Sequence, residues 1–100
     1  MEGQKYLLRN AITNEEARRD LRAALAPYAT DEAAQFIYRW NVTVPCDDLA
    51  KIGLSAFDAA IHAFIHNPEN LLQDENYFIA YFRWWARQHI ADYCKSRGLL

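Results

Sequence analysis

The chain has 100 residues, of which 52% are hydrophobic and 24% charged, and its formal net charge is -2. That is the composition of one globular domain and not of a disordered tail. No apolar run approaches the roughly 18 residues of a membrane span, and no apolar core follows Met1-Glu2-Gly3-Gln4-Lys5; neither a membrane helix nor a secretory signal is expected, and the cytoplasm is the expected location.

With 3 Gly and 3 Pro against abundant Ala, Leu, Glu and Arg, the chain favours helix. Residues 1–12 offer a short apolar patch, Tyr6-Leu7-Leu8. Thr13-Asn14-Glu15-Glu16 reads as a capping box, with Thr13 at the cap and Glu16 three residues on. The first helix is expected to turn Ala17, Leu21, Ala24 and Leu25 inward and Arg18, Arg19 and Arg22 outward. It is expected to end at about Ala26, because the residue before Pro27 avoids the helical region.

Thr30 then reads as the cap of a second helix to about Asn41, with Ala33, Ala34, Phe36, Ile37 and Trp40 as its apolar set. Asn41-Val42-Thr43-Val44-Pro45-Cys46 is short and closed by proline, and is expected as a loop. Asp47 or Asp48 should cap a third helix to about His66. Leu49, Ile52, Gly53, Ala56, Phe57, Ala60, Ala63 and Phe64 form its apolar arc; Lys51, Ser55, Asp58, His62 and His66 form its polar one. Gly53 in mid-helix costs about 1 kcal/mol against Ala and marks a close helix crossing.

Asn67-Pro68-Glu69-Asn70 ends that helix, and Asp74-Glu75-Asn76 looks like the next cap. The fourth helix should run from about Glu75 to Ser96, with Gly98 as its stop. It carries two of the three tryptophans and has two apolar faces at 100° per residue. Ile79, Phe82, Ala86, Ile90 and Tyr93 form a core stripe. Phe78, Tyr81, Trp84, Trp85 and Gln88 form a second arc of large rings, with Arg83 and Arg87 between the two. A helix apolar on two faces is either fully buried or offers one face to a partner. Residues 31–75 carry two basic side chains against eight acids, whereas residues 76–100 carry four against one. The aromatic helix is therefore the basic end of an acidic chain, as a nucleic-acid surface would be.

The spacing Phe78-x-x-Tyr81-x-x-Trp84-Trp85-x-Arg87-Gln88-x-Ile90 resembles the promoter-melting helix of the bacterial primary sigma factors, F-x-x-Y-x-x-W-W-x-R-Q-x-I. Upstream, Asp48-Leu49, Gly53, Phe57, Ala60-Ile61 and Phe64 are similar in register to the family's preceding D-L-x-x-x-G helix, and Phe36-Ile37-Tyr38-Arg39-Trp40 to the helix before that. The likeness covers roughly residues 30–97 of a single domain spanning 1–100. It implies an all-α compact bundle of about four helices, like region 2 of sigma factors.

It also implies a function: a sigma-like transcription regulator that binds core RNA polymerase and the single-stranded minus-ten region of promoter DNA. The DNA-binding residues would be Phe78, Tyr81, Arg83, Trp84, Trp85, Arg87 and Gln88. Asp48, Lys51, Leu54 and Asp58 would meet polymerase or a substitute partner, and a second protein would supply upstream promoter contacts. The chain departs from the family at Lys51 and Ile52, which stand where Gln and Glu are usual, and in a connection from Phe64 to Phe78 six residues longer than usual. Ala91 stands where a DNA-reading Thr is common. The alternative is a small acidic helical adaptor or inhibitor that binds a protein and no DNA.

Other chemistry finds little support. Asp58, His62 and His66 recur every four residues on the polar face of the third helix. A row along two turns does not converge on one ion as a tetrahedral zinc site does, so a solvated face and no metal are expected. Cys46 and Cys94 have no metal or redox spacing and are expected as reduced thiols. No triad, paired-carboxylate or Gly-rich phosphate motif is present, so neither enzyme activity nor a cofactor is expected.

Overall fold

The computed structural model describes residues 14–66 and 75–99. The expectations for Tyr6-Leu7-Leu8, Thr13, residues 67–70 and Asp74 lie outside them. Helix α1 runs Glu15–Trp40, α2 Cys46–Leu54, α3 Phe57–His66 and α4 Glu75–Ser96. No strand occurs among the described residues, so the domain is all-α there. The helical segments are divided differently from the expectation at two places, and both differences have a local cause.

The first is at Pro27, which does not end a helix but lies inside α1. Proline in a helix interior costs about 3 kcal/mol through the lost hydrogen bond and its clash with the preceding turn. The burial pattern outweighs that cost. Ala17, Leu21, Leu25, Ala29, Ala33 and Phe36 recur in steps of four and then three, unbroken across the proline, and all are buried. Stopping the helix at Ala26 would throw the second half of this stripe out of step with the first. Thr30 is accordingly no cap: its hydroxyl donates to the Ala26 carbonyl, 3.2 Å away within the helix. Asn14 caps α1 instead, its side chain accepting from the backbone N–H of Glu16 (2.9 Å) and Ala17 (3.2 Å). The C-terminal end is closed by Asn41 in the left-handed region, φ 53°, whose N–H donates to the Ile37 carbonyl.

The second difference is at Ser55-Ala56, where the expected third helix divides into α2 and α3. There the Ala56 N–H donates to the Gly53 carbonyl, tightening the chain for one turn, and the Ser55 hydroxyl donates to the Ile52 carbonyl. Asp47 and Asp48 sit in the first turn of α2, where their charge suits the helix dipole, while Pro45 occupies the position preceding it.

The interior has two parts. One gathers Leu21, Leu25 and Ala29 of α1, Phe57, Ala60, Ile61 and Phe64 of α3, and Phe78, Ile79, Phe82 and Ala86 of α4. The other gathers Ala33, Phe36, Val42, Leu49, Ile90 and Cys94. Helix α4 thus runs through both and is the shared wall. Its final turn closes as expected, with Gly98 at φ 69° and the Leu99 N–H reaching back to the Cys94 carbonyl at 2.8 Å.

Gly53 lies at a close approach of α2 to α4. A Cβ there would stand 3.2 Å from Ile90 Cδ1 and 3.4 Å from Ala86 Cβ. Gly53→Ala should leave urea stability nearly unchanged, because a helix-propensity gain of about 1 kcal/mol offsets the displacement of one flexible methyl. Gly53→Val should cost about 1–3 kcal/mol, since Ala86 Cβ has nowhere to retreat. A neutral Val variant would show that the crossing is not tight.

Candidate nucleic-acid interface

The rings of α4 divide according to the helix face they occupy. Phe78 comes one turn before Phe82 and shares its side; it is 2% exposed and meets Phe64 edge-on with centroids 4.8 Å apart. It is a core ring, and the sequence reading that put it on the outer arc misplaced it. Tyr77 and Trp84 are exposed, at 46% and 50%. Tyr81 and Trp85 are half-buried against the core. Phe64 of α3 supports the row from beneath, with centroids 5.9 Å from Tyr77 and 5.4 Å from Tyr81. The rings then brace one another: Tyr81 to Trp85 at 6.4 Å, Trp84 to Trp85 at 5.7 Å and nearly perpendicular, and Trp85 to His89 at 6.2 Å. The Trp85 indole N–H is buried and donates to nothing among the described residues.

The two arginines between the faces are held by α1. Glu32, 2% exposed, accepts from Arg83 Nε at 3.0 Å and Arg87 Nη2 at 2.8 Å on one oxygen, and from Arg87 Nε at 3.2 Å on the other. Arg83 also donates to Asp31 and stands 5.9 Å from the centre of the Tyr28 ring. Asp31 in turn accepts from Gln35 Nε2 at 2.7 Å. Burial alone would raise the Glu32 pKa; the hydrogen bonds and charges of Arg87 and Arg83 outweigh burial and hold it below its ordinary value of 4.5.

Arg83 and Arg87, read from sequence as DNA contacts, are therefore first of all partners of Glu32 and Asp31. Arg87 keeps about half its side chain exposed, at 51%, beside this pairing. Gln88 is exposed on the same side of α4. Of the residues expected to meet polymerase, Asp48, Lys51 and Asp58 are exposed, whereas Leu54 is half-buried against the core. Asp48, Lys51 and Leu54 lie on α2 and Asp58 on α3.

Glu32 and Asp31 were not among the site residues read from the sequence. Their signal was obscured by the misplaced break: behind a proline, Thr30-Asp31-Glu32 has the form of a helix start with acids in its first turn. With α1 continuous, the same two acids stand in mid-helix, where a buried carboxylate demands a partner.

Among the described residues, no group of three or more His, Cys, Asp or Glu is placed to hold a metal ion. His62 and His66 are exposed. Cys46 and Cys94 are free thiols, and burial pushes the Cys94 thiol pKa up. No described helix is long and apolar enough to cross a membrane. No family model, curated protein or solved structure matches the chain.

Glu32→Gln should cost about 1–3 kcal/mol of folding stability, because charged hydrogen bonds are lost while both arginines retain access to water. Since the folded-state pKa of Glu32 is depressed, its contribution is present above the unfolded value of 4.5 and fades as pH falls below it. Urea titrations from pH 7 to pH 3 should show the wild type losing more stability than Glu32→Gln. Parallel acid profiles would contradict this.

Proposed function

We propose that this domain is a sigma-like transcription regulator that captures the melted non-template strand of a minus-ten element on α4. The reading rests on the row of braced, partly open rings on α4, of which Tyr81, Trp84 and Trp85 keep the spacing of the melting helix they resemble. Bases of a single strand stack on exposed aromatic rings at about 1–3 kcal/mol each. Trp84 and Tyr77 offer the most open rings, while Tyr81 and Trp85 offer partly open ones.

Gln88 presents an amide for the edge of a base, and Arg87 keeps an exposed side of its guanidinium for phosphate. At Ala91 there is only a methyl, so selectivity at that edge is loose. Phe78 serves this interface by packing beneath it. The exposed Asp48, Lys51 and Asp58, with the rim of Leu54, form the surface offered to core RNA polymerase.

The alternative, an adaptor that binds protein alone, draws support from one observation: the Arg83 and Arg87 charges are balanced by Asp31 and Glu32, leaving the ring row less cationic than its sequence. Exposed Trp and Tyr beside Arg also suit a protein contact.

The test is gel filtration with bacterial core RNA polymerase and a labelled single strand carrying a minus-ten hexamer. Co-elution strengthened by the hexamer over a scrambled strand is the expected result. Trp84→Ala should remove that strengthening while leaving thermal melting unchanged; Phe78→Ala should instead destabilise the fold by about 3–5 kcal/mol. Co-elution indifferent to the strand would favour the protein-only adaptor.

A further inference from the structure

Past the ring row, α4 forms one wall of an open groove of about 1010 Å³, and the C-terminal half of α1 forms the other. Tyr38, Arg39 and Trp40 line it from α1; Arg87, Gln88 and Lys95 line it from α4. Tyr38 is 92% exposed and Trp40 54%. Trp40 leans on the buried Phe36, with centroids 6.2 Å apart, so its position at the groove has core support.

The electrostatics of the groove are one-sided. Its acid, Glu32, already accepts from two arginines. Arg39 and Lys95 are exposed, and neither side chain makes an ion pair or hydrogen bond among the described residues. The groove adjoins the ring row through Arg87 and Gln88, which follow Trp84 and Trp85 on α4. Trp84, Gln88, Ala91 and Lys95 follow one another by four, three and four residues, the spacing of a single helix face. That face extends about 16 Å from Trp84 to Lys95.

We propose that this groove is a second nucleic-acid contact, in which a strand captured on the α4 rings continues past Gln88. Its phosphates lie on Arg39 and Lys95, and its bases on Trp40 and Tyr38. The inference rests on the strand-binding reading of α4 and lengthens the strand's track onto α1. Uncommitted cations alone would suit an acidic peptide equally well. Two exposed flat rings lining the same groove as those cations and Gln88 favour a strand with alternating phosphates and bases.

Fluorescence anisotropy with two labelled single strands tests this: the minus-ten hexamer alone, and the hexamer extended at either end by about six nucleotides, within the usual footprint of such surfaces. Arg39→Glu/Lys95→Glu should weaken the better-bound extended strand by about tenfold, and its log–log salt dependence should become shallower by about 1.4, as expected for two lost phosphate contacts. The hexamer should be unaffected, and circular dichroism should show the same melting. Trp40→Ala should lower affinity for the extended strand at least about fivefold. Trp84→Ala should weaken both strands.

If the double variant binds both strands like the wild type while Trp84→Ala does not, the groove proposal fails and the α4 reading stands. If wild type binds neither strand, or Trp84→Ala changes neither, both fall. Displacement of the extended strand by polyglutamate at matched charge would make the groove a site for acidic protein and would also overturn the proposal.

Discussion

Glu32 is a carboxylate placed where water hardly reaches, and the arrangement of α1 against α4 follows from satisfying it. An unpaired charge in that position would cost several kcal/mol. Both its oxygens are met by guanidinium groups one turn apart on α4, at 2.8 to 3.2 Å. Sliding α4 by one turn would leave the carboxylate with one arginine and strand the other, so the pairing penalises the wrong register more than it rewards the right one. Apolar contacts among Leu21, Leu25, Phe57, Phe64 and Phe82 supply the bulk of the burial, and the ion network adds a charge constraint on the same register.

This constraint reaches the surface through α4 itself. With Phe78, Phe82, Ala86 and Ile90 committed to the interior, the remaining rings have one place to go. Phe64 and Trp85 then pack against them, so each ring already has neighbours that limit its freedom. The clamp that fixes the helix also neutralises the two arginines nearest the rings. Among the described residues, cationic side chains without an acid partner lie further along, at Arg39 and Lys95, beside a different pair of rings. The domain separates the aromatic part of a candidate strand-binding surface from its least encumbered cations, with Gln88 between them.

Much of α4 is legible in the sequence: its limits, its core stripe from Ile79 to Ile90 and its stop at Gly98 follow from a 3.6-residue period and one glycine, but past Ile90 it is Cys94 and not the expected Tyr93 that is buried. The helix boundaries around Pro27 and Ser55 are less legible because they depend on tertiary contacts. Pro27 signals a stop, and only the burial stripe from Ala17 to Phe36 overrides it. Ser55 and Ala56 lie within an unbroken apolar arc whose period gives no notice of a tight turn. On the outer face, Phe78 lies at the edge between two arcs, and periodicity cannot decide which it joins; the cavity beneath, filled by Phe64, decides. The pairing of Arg83 and Arg87 with acids more than 50 positions away leaves no local trace, and neither does the groove that brings Arg39 and Trp40 beside Lys95.

An unpaired strand stacking on the α4 rings would be seen by following the three indole N–H resonances in a 15N-labelled sample as a minus-ten single strand is added. The Trp84 signal should shift, and the same sequence as a closed duplex should have little effect. The buried Trp85 N–H should exchange slowly with solvent before the strand is added. Indole signals that ignore the strand, or respond equally to the duplex, would rule out strand capture and leave the ring row as a surface for protein.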